Sequence, residues 1–112
     1  MSTYIGRTAE NMALQELELL GFNLVAQNWR TRLCEVDIIV SKGDTIYFVE
    51  VKYRRSSVSG DGIDYITSKK LQQMRFAAEL WCAQNRWLGD YELAAIAVSG
   101  SDYTVGDLVL CG

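Results

Sequence analysis

Residues 35–55 read EVDIIVSKGDTIYFVEVKYRR, and this stretch decides the fold. Glu35 to Val40 and Thr45 to Tyr53 are rich in β-branched and aromatic residues, the types that favour a pleated, half-buried surface. Between them lies Ser41-Lys42-Gly43-Asp44, a hairpin-type turn. Yet Glu50 and Lys52 sit within the second strand, where a charge is costly unless paired or bound. If Gly43-Asp44 is a two-residue loop, Asp37 lies opposite Glu50 and Glu35 opposite Lys52. Alternation then puts all four on one face, with opposed Cβ atoms roughly 4.5–5.5 Å apart. Val36, Ile38, Val40, Tyr47, Val49 and Val51 are expected on the other, apolar face.

Two carboxylates facing each other repel, so such a pair calls for a proton or a cation between them. Oxygen ligands at this spacing suit Mg²⁺ or Mn²⁺. A bulge in the hairpin would shift the register and scatter the cluster. The bland alternative is an ion-pair network in which Lys52 bridges Glu35 and Glu50.

The rest of the chain supplies the frame. Ala9, Met12, Ala13, Leu17 and Leu20 mark a first helix from about Thr3 to Leu20, stopped at Gly21. Phe22 to Thr31 reads as a strand. Residues 54–66, polar and rich in Ser and Gly, read as a mobile functional loop. Thr67-Ser68 caps a second helix to about Asn85, Tyr91 to Val98 is a fourth strand and Thr104 to Leu110 a weak fifth. The order α-β-β-β-α-β implies an α/β sandwich with a mixed central sheet, formed by residues 1–112 as one domain.

Composition narrows the chemistry. The 112 residues include no histidine, which excludes Ser-His-Asp and Cys-His catalysis and imidazole bases. Three scattered cysteines favour neither a disulfide framework nor a zinc site, and a reducing, cytoplasmic setting is expected. No transmembrane span or signal peptide is expected. The net charge of −3 hides an asymmetry: residues 1–75 carry ten of the eleven Lys/Arg, whereas residues 76–112 carry one against five acids. A local basic patch is therefore compatible with the acidic total.

Asp, a dozen residues and then Glu-x-Lys resembles the PD-(D/E)xK nuclease pattern. GRTAENMALQELELLGFNLVAQNWR, EVDIIV, GDTIYFVEVKYRR and ITSKKLQQMRFAAELW look more specifically like the YraN-like family of uncharacterised bacterial proteins, itself similar to archaeal Holliday-junction resolvases. The resemblance implies a restriction-endonuclease-like three-layer sandwich. It also implies a homodimeric, Mg²⁺-dependent (or Mn²⁺-dependent) nuclease acting on structured DNA. By resemblance Asp37, Glu50, the Val51 carbonyl and Glu10 hold the metal, and Lys52 steadies the attacking water or phosphoryl charge. Glu35 is then a ligand, a water-orienting group or the partner of Lys52. Arg54, Arg55, Lys69, Lys70 and Arg30 are candidates for DNA contact, with Lys70 and Arg54 foremost. Gln72, Gln73 and Phe76 stand where relatives carry basic residues, which lowers the expected affinity for duplex. The same fold would also serve a non-catalytic nucleic-acid-binding accessory, or a protein-interaction domain using its acidic C-terminal third.

Overall fold

The computed structural model describes residues 4–55 and 66–112. Helix α1 (Tyr4–Leu19) is followed by strands β1 (Asn23–Arg30), β2 (Glu35–Lys42) and β3 (Thr45–Arg54). Helix α2 (Ser68–Gln84) leads to β4 (Asp90–Ser99) and two short strands, β5 (Thr104–Val105) and β6 (Val109–Leu110). The expected fifth strand is therefore two fragments. Both pair with β4, separated by Gly106 to Leu108. Of the loop expected at 54–66, residues 56–65 lie outside the described residues.

The sheet runs β1-β2-β3-β4-β5, with β6 also on β4. The β1–β2 and β2–β3 pairs are antiparallel and β3–β4 is parallel, so the sheet is mixed. A parallel neighbour needs a long crossover, usually through a helix, and α2 lies in that connection. Ala9, Ala13, Leu14 and Leu17 of α1 pack on Ile38, Val40, Val49, Ile96 and Val98. Met74, Ala77, Ala78 and Trp81 of α2 pack on the opposite face, against Ile39, Phe48 and Leu93. Phe48 meets Trp81 and Tyr91 edge-on, with centroids 5.7 Å apart in both contacts. No helix among the described residues is long and apolar enough to cross a membrane.

Local signals set the element ends. At α1, Gly21 adopts φ 95°, while Phe22 N–H donates to Leu17 O and Gly21 N–H to Glu18 O. This pair of bonds is a Schellman cap and needs the left-handed glycine. Leu20 falls on the exposed side of that cap and not in the core stripe expected of it. At α2, the Thr67 side chain accepts from Lys70 N–H at 3.0 Å, an N-cap at the expected residue.

The hairpin holds the predicted register from Lys42↔Thr45 to Ile38↔Val49. Of the two loop residues only Gly43 has positive φ (60°), the pattern of a type II′ turn. Past Ile38↔Val49 the two strands part. The apolar face also departs from expectation, because Val36 packs with Ile39 and Phe48 on the α2 side. The cause lies across the sheet, where Asn28 takes φ 54° in the middle of β1. Ala26 and Trp29, three residues apart, consequently face the same side, and so do their partners Ile39 and Val36. Alternation is interrupted on both strands at the level of Asp37.

Candidate active site

Where β2 leaves β3, side chains from four elements converge. Residues 45, 47 and 49 of β3 are each paired with β2, so Val51 is the next whose N–H should meet that strand. Instead Val51 N–H donates to Asp37 Oδ2 at 2.8 Å. A carboxylate thus replaces a backbone carbonyl at the mouth of the hairpin. The N–H and C=O of one strand residue point to the same edge, so strand geometry turns the Val51 carbonyl toward the same gap.

Glu10 reaches this point from α1. It is 7% exposed and lies on the buried face with Ala9, Ala13, Leu14 and Leu17, at the border of the core as expected. Burial first, and then the Asp37 charge, lift its pKa to about 7, while a hydrogen bond from Asn28 works the other way. The side-chain interaction between the two acids raises Glu10 and lowers Asp37. Glu10 Oε1 is buried without a hydrogen-bond partner.

The pKa values of Asp37 and Glu50 are both raised from their ordinary values. Burial is the main cause in each, and the Asp37 charge adds to the rise at Glu50. The counter-charge is Lys70, whose Nζ lies 3.2 Å from Glu50 Oε2 and whose field also lowers Asp37. Lys70 is a candidate for DNA contact, and the bland alternative for Lys52 is a bridge between Glu35 and Glu50. In the structure Lys70 is the ammonium on Glu50, and Lys52 is exposed with no ion pair among the described residues. Glu35 does not face Lys52 either. It sits opposite Arg30 of β1, with Arg30 Nη2 3.9 Å from Glu35 Oε2. The opening of the hairpin accounts for both departures, because the ladder ends before residues 35 and 52 meet.

Lys69 and Arg55 are exposed, and Arg54 is half-buried with its carbonyl accepting from Gly100 N–H at 2.9 Å. Asn28 escaped the sequence reading, although asparagine is a residue that tolerates the left-handed region and could have marked it. Cys34, Cys82 and Cys111 are free thiols, as their spacing suggested. Trp81 is a core residue, and Trp29 and Trp87 pack at the edge of the same core.

The donors are oxygen atoms of the kind hard divalent ions prefer, and one buried Glu10 oxygen lacks a partner. In the present arrangement, among the described residues, no three Cys, Asp or Glu side chains are grouped closely enough to hold a metal ion. An ion seated between Asp37 and Glu50 would compete with Lys70 Nζ for the Glu50 carboxylate.

Residues 9–98 match the Uncharacterised protein family UPF0102. A UPF0102 protein of Ectopseudomonas mendocina is 38% identical over 101 residues, covering 87% of this chain and 85% of the relative. One from Pseudomonas fluorescens is 40% identical over 83 residues, covering 73% and 69%. One from Herpetosiphon aurantiacus is 35% identical over 100 residues, covering 85% and 81%.

Proposed function

The chain belongs to the uncharacterised UPF0102 family, the family of the YraN-like pattern, and we propose that it is a divalent-cation-dependent nuclease of restriction-endonuclease-like fold, acting on branched or structured DNA. The observation that carries this reading is Asp37 at the opened end of the hairpin, coupled both to Glu10 of α1 and to Glu50 of β3. All three carboxyls are raised by burial, and Asp37 further raises both glutamates, so a bound cation would relieve a strain already built into the fold.

In this proposal Asp37, Glu50 and the Val51 carbonyl hold Mg²⁺ or Mn²⁺, with Glu10 completing the set. A bound ion supplies an acidified water and neutralises charge at the scissile phosphate. The chain's own residues do the positioning. Val51 N–H fixes the Asp37 carboxylate, and the neutral Glu10 carboxyl is poised to give up its proton near pH 7. Lys52, exposed and with no ion pair among the described residues, would stabilise charge developing on the phosphate. The homodimer implied by the resemblance belongs to the same proposal, and light scattering of the purified chain tests it.

The direct test is titration calorimetry with Mn²⁺ on Asp37→Ala and Glu50→Ala, paired with cleavage assays on four-way, flapped and single-stranded DNA. Both variants should stay folded and lose cation binding. Unchanged affinity in both variants would remove the site assignment. A second reading, a non-catalytic DNA-binding accessory, is favoured by Lys70 already neutralising Glu50. Retained DNA binding in Lys52→Ala, with no cleavage by the wild type, would select it.

A further inference from the structure

We propose that the cleft between α2 and the β1–β2 loop receives an unpaired nucleotide of the DNA strand being cut, an inference that rests on the nuclease reading for the identity of the strand. The cleft has a volume of about 460 Å³, and its walls include Leu33, Phe76, Gln72, Gln73, Lys69 and Lys70. Three features of it point to the same occupant.

The first is continuity. Glu35 and Lys70 line the cleft and also stand in the carboxylate cluster, one through its field on Asp37 and Glu50, the other through its ion pair. A strand with its phosphate at Asp37 and Glu50 therefore runs on into this cleft. The second is the order of chemistry along α2. Lys69 and Lys70 lie at the end nearest the carboxylates, Gln72 and Gln73 follow one turn on, and Phe76 one turn beyond them. This sequence presents ammonium groups for phosphate, amides that both donate and accept for a base edge, and then a ring face.

The third is exposure. Phe76 is 49% exposed, although the same helix buries Met74, Ala77, Ala78 and Trp81. Leu33 in the facing loop is 75% exposed. It is held out by a turn in which Thr31 Oγ1 accepts from both Leu33 N–H (3.0 Å) and Cys34 N–H (3.2 Å).

An unpaired base fits these features and a duplex does not. In a duplex the base faces are stacked inside the helix, whereas a ring on a protein surface recognises a base that is splayed out. The cleft also carries few cations for tracking two phosphate backbones, in keeping with the chain's net charge of −3. The substrate class assigned is thus DNA with an unpaired nucleotide next to the scissile phosphate, as at a flap, a fray or a single strand.

The test uses fluorescence anisotropy of a short labelled single-stranded DNA of mixed sequence, and of its duplex, in EDTA so that no cleavage intrudes. The full chain is compared with Phe76→Ala and Phe76→Trp. Base–aromatic stacking is worth about 1–3 kcal/mol per base, so Phe76→Ala should weaken single-strand binding by roughly fivefold or more. Phe76→Trp should retain it, and duplex binding should change little in either variant. Equal single-strand affinity in Phe76→Ala, an equal loss on the duplex, or no single-strand binding by the unaltered chain overturns the inference. An apolar peptide bound at Phe76 in place of DNA would also overturn it. Cleavage with Mn²⁺ is scored separately. A Phe76 effect without cleavage sinks the nuclease reading alone, and cleavage without a Phe76 effect sinks this one alone.

Discussion

Glu10→Gln is the most incisive perturbation of the carboxylate cluster. In the metal-free protein Glu10 titrates at about 7, against 4.5 for its ordinary value, because burial and the neighbouring Asp37 disfavour its anion. The folded-state pKa is raised, so the folded form prefers the neutral acid. Below the unfolded pKa the residue costs nothing. As pH rises from about 4.5 to about 7 the folded state loses stability, and the full loss is present above 7. At 1.36 kcal/mol per pKa unit the displacement corresponds to about 3 kcal/mol. Glutamine keeps the size and polarity of the side chain without the charge. The variant should match the wild type near pH 4.5 and exceed it by up to about 3 kcal/mol at pH 8. Urea unfolding in EDTA across this range provides the assay, and comparing the two proteins at each pH cancels the other titrating groups. Parallel stability curves, with no growing gap toward high pH, would refute the burial-and-repulsion account of Glu10.

Three further outcomes follow from the same geometry. Asp37→Ala strands the Val51 N–H and should cost about 1–3 kcal/mol, whereas Asp37→Asn retains an acceptor and should cost less, as chemical denaturation will show. Lys70→Met removes the ammonium competing for Glu50 and should tighten Mn²⁺ binding in calorimetry, and weaker binding would mean that Lys70 supports the ion. Asn28→Gly keeps the left-handed backbone, while Asn28→Ala should lose about 1–2 kcal/mol more, a difference read from the urea midpoints of the two variants.

Much of this was legible in the sequence because it is local. The Gly43-Asp44 loop sets a register that holds for five consecutive pairs and ends just short of the expected Asp37–Glu50 pair. The helical stripe around Ala9 and Leu17 likewise put Glu10 at the border of the core. What escaped depends on distant geometry. The Lys70–Glu50 pair forms only because α2 begins beside the middle of the sheet, and residue spacing across 50–70 does not encode that approach. The changed face of Val36 accompanies the left-handed Asn28, where alternation is interrupted on two strands together, and the parting of β2 from β3 occurs at the same level. Pattern rules assume that alternation continues, so the fork could not be read from them.

The fork has a mechanical side. All ten residues of β3, from Thr45 to Arg54, stay paired with β4, although β2 lets go after Val49. Glu50 and Lys52 therefore ride on a beam clamped along its whole length. Asp37 belongs to a neighbouring strand that at this level is paired only with β1, and one hydrogen bond moors it to the beam. Such a joint opens from one side. Small excursions of the β1–β2 tip would widen or narrow the gap between Asp37 and Glu50 while the lysine strand keeps its place. Amide exchange should register the asymmetry, fast at Val51 and slow at its neighbours bound to β4.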